Sequence, residues 1–195
     1  MSVTLRQGTP KDAEQCGVIC YNAFKTIAEK HNFPADFASP EIAVAVLSKL
    51  LAHPKIYSVV AEIDRRIVGS NFVDERGAIA GIGPITVDPA VQNRAVGREL
   101  MHHVLARASQ GFSGIRLVQA AYHSRSLSLY SKLGFLVREP LALMQGPPLG
   151  IKIPKLSVRP ATADDLSACN QVCFEVHGHD RGGELIDAIN QKTAV

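Results

Sequence analysis

Apolar residues recur near the start of the chain at the spacing of one helix face. Cys16, Ile19, Cys20, Ala23, Phe24 and Ile27 follow the i, i+3, i+4, i+7 rule and predict a helix over about 10–29. Thr9 and Asp12 stand in front of it with the residue types of a capping box, which sets where the helix begins. Ser39 before Pro40 predicts the cap of a second helix carrying Ile42, Val46, Leu47, Leu50 and Leu51. The period then changes from helix to strand. "IYSVVAEI" and "IVGSNFVD" are rich in β-branched and aromatic residues, and the polar turn Asp64, Arg65, Arg66 between them predicts a hairpin of about 56–63 and 66–73. "AIAGIGPITV" predicts a longer strand, in which Gly81, Gly83 and Pro84 are unfavourable to a regular ladder and mark a bulge or splay. Val96, Leu100, Val104 and Ala108 lie on one face of a helix over about 95–110. The strand "IRLVQAA", a short helix near 125–132 and a last strand beginning at "GFLV" complete an α/β order of β, α, α, β, β, β, α, β, α, β.

The tail repeats the opening. At an offset of 169 − 16 = 153, "TLRQGTPKDAEQCGVICY" lies over "SVRPATADDLSACNQVCF", matching Arg6 with Arg159, Thr9 with Thr162, Asp12 with Asp165 and both cysteine pairs. "GGELIDAI" can likewise be laid over "SPEIAVAV", so the second copy reaches only the start of its next strand, at 193–195. The expected organisation is one domain over 1–150, then a linker and an incomplete second unit over 151–195, as in a tandem protein cut short. Half a unit cannot close its own core. Leu166, Val172, Cys173 and Leu185 must therefore borrow a surface from the first lobe or from a second copy of the chain, which leaves a homodimer open.

Composition narrows the function. With 46% hydrophobic and 20% charged residues over 195 positions, the chain has the material for one full core. Its net charge of +3 is scattered, with no Lys/Arg block to track a phosphate backbone, so nucleic acid is not expected as a partner. The opening "MSVTLRQGTP" lacks the regions of a signal peptide, and no apolar run approaches the ~20 residues that span a bilayer. A cytoplasmic protein without a membrane partner is the expectation. The cysteines, on apolar helix stripes, read as buried reduced thiols. "HGHDRGG" offers two histidines without further ligands nearby, so no metal is expected, and His102 with His103 reads as a half-exposed helix face.

The candidate chemistry sits in "VDPAVQNRAVGREL". A polar turn runs straight into a helix whose first amides have no intrahelical acceptor. Backbone N–H groups from Asn93 to Arg98 at the positive end of the dipole make a phosphate cradle, with Gly97 allowing close approach and Arg94 and Arg98 adding charge. Together with the later "LYSKLGF", this stretch resembles the acetyl-CoA-binding half of the GNAT superfamily of N-acetyltransferases, whose motif is Q/R-x-x-G-x-G/A. Gln92, Ala95 and Gly97 stand at the three motif positions, with Ala95 in place of the first glycine. Tyr130, Gly134 and Phe135 form a second match, and the resemblance covers about residues 3–146. His123 and Ser126 occupy positions where the family usually carries Asn and Ala.

The resemblance implies a GNAT-type acyl-CoA N-acyltransferase fold, with a mixed central sheet flanked by helices, and acetyl-CoA as cosubstrate. Gln92, Asn93, Arg94, Ala95, Val96, Gly97 and Arg98 would hold the phosphates, and His123 and Ser126 would bond the pantetheine arm or the phosphates. The segment Ile85, Thr86, Val87 would pair with the arm like an added strand while backbone donors of 83–87 polarise the thioester. Tyr130 would protonate the leaving thiolate. The acceptor would be a small-molecule or peptide amine attacking directly, without a metal. Asp74, Glu75 and Asp88 all remain open as the base, directly or through water, and the acceptor-binding segment "AEKHNFPADFASP" carries no recognisable code. A non-catalytic acyl-CoA-binding or regulatory module is the alternative. A dinucleotide site in "GAIAGIG" is excluded because Thr86 stands at the third glycine and the glycines lie within a strand.

Overall fold

Asp12 and Thr9 close both halves of a capping box at the first helix start, and the Asp12 carboxylate accepts from the Thr9 N–H at 2.8 Å and its hydroxyl at 2.9 Å. The Arg6 guanidinium forks onto the same carboxylate with two bonds of 2.8 Å. The computed structural model of the chain describes residues 2–193 other than Gln145, Pro148, Leu149 and Lys152. It divides into the compact units Met1–Leu129 and Tyr130–Val195.

The first unit runs β1 (Thr4–Gln7), a 3-10 turn at Pro10–Asp12, α1 (Ala13–Lys30), α2 (Pro40–Ala52), β2 (Ile56–Ile63), β3 (Arg66–Asp74), β4 (Ile79–Ile82), β5 (Thr86–Val87), α3 (Val96–Ala108) and β6 (Gly114–Leu117). A further helix, α4 (Ser124–Lys132), begins in it. The predicted apolar face of α1 is buried at Cys16, Ile19 and Cys20. Gly17 lets α2 come in close, since a Cβ there would fall 2.5 Å from the Val44 Cα. This contact sets the rotation of α2. Ala43, Leu47 and Leu51 face the core, while the expected core residues Ile42 and Val46 stay 47% and 38% exposed. The Ser39 hydroxyl also departs from expectation: it takes no amide of the first turn and bonds the Glu41 carboxylate.

The sheet order is β1-β2-β3-β4-β6, antiparallel except for the parallel pair β4 and β6. Both predicted hairpin strands form over β2 and β3 within a residue of their expected ends. Side chains alternate across β3: Phe72 enters the cluster formed by α1 and α2, while Asn71 reaches Met101 of α3 at 3.4 Å. Helices therefore cover both faces, which explains why Ile67 to Val73 are all buried, Ser70 and Asn71 included.

The long strand expected at 78–87 is two short ones, both paired to β3. Val73 pairs with Ile82 and Ser70 with Thr86, so Gly83, Pro84 and Ile85 oppose only Asn71 and Phe72. That is the predicted bulge, and Gly83 takes a φ of +122° that side chains rarely adopt. The β4–β6 pairing ends at Ile82 with Leu117. Beyond the bulge the chain follows β3, so the rest of "IRLVQAA" has no partner and β6 stops short of its expected end.

The second unit begins within α4 and continues to α5 (Leu166–His177) and α6 (Gly182–Asn190). Its described residues form no strand. The strand expected at "GFLV" is absent: Leu136 and Val137 are exposed, and Pro140 withdraws a ladder donor just beyond. Before α5 the opening arrangement recurs. Arg159 forks onto Asp165 at 2.7 and 2.6 Å, and Asp165 accepts from the Thr162 N–H at 2.8 Å and hydroxyl at 2.9 Å. Neither α5 nor α6 has a buried residue, so Cys169 and Cys173 are only half-buried, unlike Cys16 and Cys20. "HGHD" closes a loop, Asp180 accepting from the Gly182 N–H at 3.1 Å and from the Asn170 amide. Ala194 and Val195, where the tail's next strand was expected, lie outside the described residues.

Candidate active site

The turn that leads into α3 is built from β5 outward. Asp88 caps a 3-10 turn at Pro89–Val91 by accepting the Ala90 N–H at 2.9 Å, and Arg66 pairs with it at 2.5 Å. Gln92 donates its side-chain amide to the Val87 carbonyl at 3.3 Å. Asn93 and Ala95 then adopt left-handed conformations with φ of 69° and 63°. Ala95 thus occupies the geometry that a glycine takes at least cost, which is why the motif carries glycine there; alanine costs about 1–2 kcal/mol. Its carbonyl accepts from Arg98 at 2.9 Å and Glu99 at 3.0 Å. The Arg98 N–H is therefore engaged within the helix, which narrows the expected cradle. Among the described residues, the N–H groups of Val96 and Gly97 have no backbone acceptor, and they open the positive end of the α3 dipole. The side chains of Asn93, Arg94 and Arg98 are exposed around them. A Cβ on Gly97 would meet only Val87 Cγ2 at 3.7 Å and Leu129 Cδ2 at 4.0 Å, so packing within the chain does not demand glycine there. Backbone donors, flanking cations and the lack of a side chain at Gly97 all suit a pyrophosphate.

Arg125 is a site residue that sequence reasoning missed. Its guanidinium donates to Asn93 Oδ1 at 3.1 Å and to the Gln92 side-chain carbonyl, joining the start of α4 to the turn. A signal was present, since a cation in a first helical turn opposes the dipole and needs another reason to be there.

At the bulge, the Gly83 N–H is held by the Phe72 carbonyl at 3.0 Å and Pro84 has none. Ile85, half-buried, carries the one N–H of the three bulge residues that has no backbone acceptor among the described residues. Thr86 turns its side chain into the core, 3.2 Å from Ser70 Oγ, and Val87 lies beside Gly97. Ser126 Oγ and His123 Nδ1 are 2.9 Å apart. Burial, then Arg125, His31 and Lys30, pull the His123 pKa below the ordinary imidazole value, so the ring is neutral near pH 7. Tyr130 is buried at the end of α4, where its carbonyl accepts from Leu133 and Phe135 at 3.0 Å each and its ring meets Phe135 edge-on at 6.1 Å.

Each carboxylate considered as a base is held in an ion pair. Asp74 is paired with Arg76 at 2.5 Å; burial pushes its pKa up, but the bonds from Arg76 outweigh this and lower it. Glu75 takes two bonds from Arg107, and Asp88 is held by Arg66. His103, expected on a plain helix face, bonds the Tyr57 hydroxyl at 2.7 Å. Burial drives the Cys16 and Cys20 pKa values up to about 11 and about 12, as inert core thiols require. Among the described residues no group of three or more His, Cys, Asp or Glu is arranged to hold a metal, and no helix is long and apolar enough to cross a membrane.

A mixed sheet with helices on both faces, a bulge between β4 and β5, and a helix N-terminus opened by left-handed residues define the GNAT acyltransferase fold. Comparison with known proteins bears on the chain directly. Residues 54–137 match the family model described as acetyltransferase (GNAT) domain. PaiA N-acetyltransferase from Thermoplasma acidophilum, solved with coenzyme A, is 17% identical with a TM-score of 0.60 over 72% of this chain and 93% of that one. AAC(6')-Iy, an aminoglycoside N-acetyltransferase solved with a CoA bisubstrate analogue, is 14% identical with a TM-score of 0.59 over 76% of this chain and all of that one. A transcriptional regulator from Bacillus halodurans shares the fold at 20% identity, with a TM-score of 0.58 over 74% of this chain and all of that one. No curated protein matches the chain in sequence. The domain match and the acetyltransferase neighbours together support an acyltransferase.

Proposed function

We propose that the protein transfers acetyl from acetyl-CoA to an amine by direct attack. The observation that carries this reading is the pair of N–H groups at Val96 and Gly97, opened by left-handed Asn93 and Ala95. That pair receives the pyrophosphate, with Arg94, Arg98 and Arg125 supplying charge, and Arg125 holds the Gln92 and Asn93 side chains in place. The backbone of Ile85–Val87 receives the pantetheine arm, and the Ile85 N–H donates to the thioester oxygen as negative charge develops there. Tyr130 gives its proton to the departing thiolate and recovers one from the amide nitrogen. Ser126, in the first turn of α4, lines the approach of the arm. The solved aminoglycoside acetyltransferase supports a small-molecule acceptor. We read residues 1–150 as the catalytic domain of a cytoplasmic enzyme and the tail as an incomplete second unit of the same kind, which the recurring Arg159–Thr162–Asp165 arrangement supports.

Release of free thiol from acetyl-CoA over a panel of amines, amino acids, polyamines and peptides tests the reading. Turnover with at least one amine is expected, and Tyr130→Phe should lower kcat about 10²-fold or more while CoA affinity stays within twofold. Tight CoA binding without thiol release from any amine would leave the non-catalytic binding module.

A further inference from the structure

The loop from β6 to α4 carries chemistry that the cofactor does not account for. It begins at Val118, immediately beyond the last β4–β6 pair, and ends at His123, whose carbonyl accepts the Leu127 N–H. Two residues into it, Gln119 has a buried side-chain carbonyl oxygen that, among the described residues, has no hydrogen-bond partner. A buried acceptor left unpaired costs about 1–3 kcal/mol, so a ligand N–H that meets it recovers that cost. Further along, Tyr122 stacks on Phe33 at 4.4 Å between centroids and on His31 at 5.2 Å. Both partners come from the segment after α1 in which the sequence showed no code, and Phe33 is 51% exposed. His123 closes the loop with a Ser126 hydroxyl on Nδ1. With Nδ1, the nearer nitrogen, donating to that hydroxyl, Nε2, 3.4 Å from the same oxygen, keeps a lone pair that can accept a proton.

Resting on the acetyltransferase reading above, we propose that this loop holds the acceptor amine: Gln119 accepts one of its N–H hydrogens, His123 removes the proton that blocks its lone pair, and Phe33 with Tyr122 flanks its body. The three carboxylates otherwise suited to the proton are each held by an arginine. The groups acting on the His123 ring are Arg125 and Ser126 from α4 and Lys30 and His31 from the end of α1. Burial favours the neutral ring, and so do the Arg125 and Lys30 charges. They also repel a polycation, so the site takes a mono-amine with an apolar or aromatic body. The step balances: one proton of the ammonium goes to His123 and then to water. The neutral nitrogen forms its bond to the acetyl carbon as the carbon–sulfur bond breaks, and the nitrogen's second proton replaces the one that the acid delivers to sulfur.

The test measures kcat/KM against pH with phenethylamine and with spermidine, alongside calorimetric CoA binding, for wild type, His123→Gln, His123→Asn and Phe33→Ala. In the wild type, kcat/KM should rise through a limb below the ordinary imidazole value and favour phenethylamine at least tenfold. Both His123 variants should lose that limb and about 10²-fold or more of the rate while binding CoA within twofold of wild type, which also reports that they are folded. Phe33→Ala should raise KM for phenethylamine and leave CoA binding unchanged. Retention of the limb in either His123 variant, a main loss in CoA affinity, or a preference for spermidine would overturn the proposal while leaving acetyl transfer standing. Absence of thiol release from every amine would instead overturn the enzymatic reading, and this assignment with it.

Discussion

Gly97→Ala separates stability from ligand binding at one atom. The added Cβ would sit 3.7 Å from Val87 Cγ2 and 4.0 Å from Leu129 Cδ2, both ordinary contacts, and Gly97 is the second residue of α3. Replacing glycine by alanine within a helix gains roughly 0.5–1 kcal/mol. For a chain of 195 residues this raises Tm by about 1–4 °C. Ligand binding should respond in the opposite direction. A methyl group above the free Val96 and Gly97 amides holds the pyrophosphate away from them, and hydrogen bonds to charged groups contribute about 1.5–3 kcal/mol each. Losing one such bond weakens CoA binding by about 10- to 150-fold. Differential scanning calorimetry and titration calorimetry on the same preparation measure both changes, and the titration should give one CoA per chain. A raised Tm with unchanged CoA affinity would refute the cradle, because the protein would be folded and the amides would not be where phosphate binds.

Two further outcomes follow from single residues. Ala95→Gly relieves the left-handed alanine and should raise Tm by about 2–8 °C without weakening CoA, the opposite binding result from the neighbouring swap. Asp12 and Asp165 carry the same bonds in different surroundings, the first with its side chain 10% exposed and the second with 24% exposed beside a largely exposed Arg159. Bonds from Arg6, opposed by burial and aided by Thr9, lower the Asp12 pKa from 3.8 to about 2. Because the folded value is the lower one, this stabilisation is complete above pH ~4 and disappears as pH falls towards 2; it amounts to about 2 kcal/mol. Asp12→Asn should therefore lower stability at pH 7 by about that amount in urea titrations and flatten the acid limb between pH 4 and 2. Asp165→Asn should change the same curve far less, since an exposed pair is screened by water. Equal losses would show that burial does not set the difference.

Much of this protein is local and so legible in its sequence. The capping box at Thr9 and Asp12, the β2–β3 hairpin, the start of α3 and the unpaired amides at Val96 and Gly97 each depend on residues within a few positions of one another. Glycine and proline at 83–84 foretold the bulge for the same reason. Other features required partners distant in the chain. Which carboxylates are held by arginines, and why Arg125 opens a helix, were decided only when Gln92 met Arg125 and Glu75 met Arg107. The face of α2 turned on one backbone approach between Gly17 and Val44, to which a period in hydrophobicity is blind. The "GFLV" strand fails on the same ground, because apolar residues make a strand only where an edge accepts their hydrogen bonds. Periodicity reports which side of an element seeks burial. Contact between elements decides which polar groups face one another, and with them the protonation of His123 and the aromatic wall of Phe33 and Tyr122.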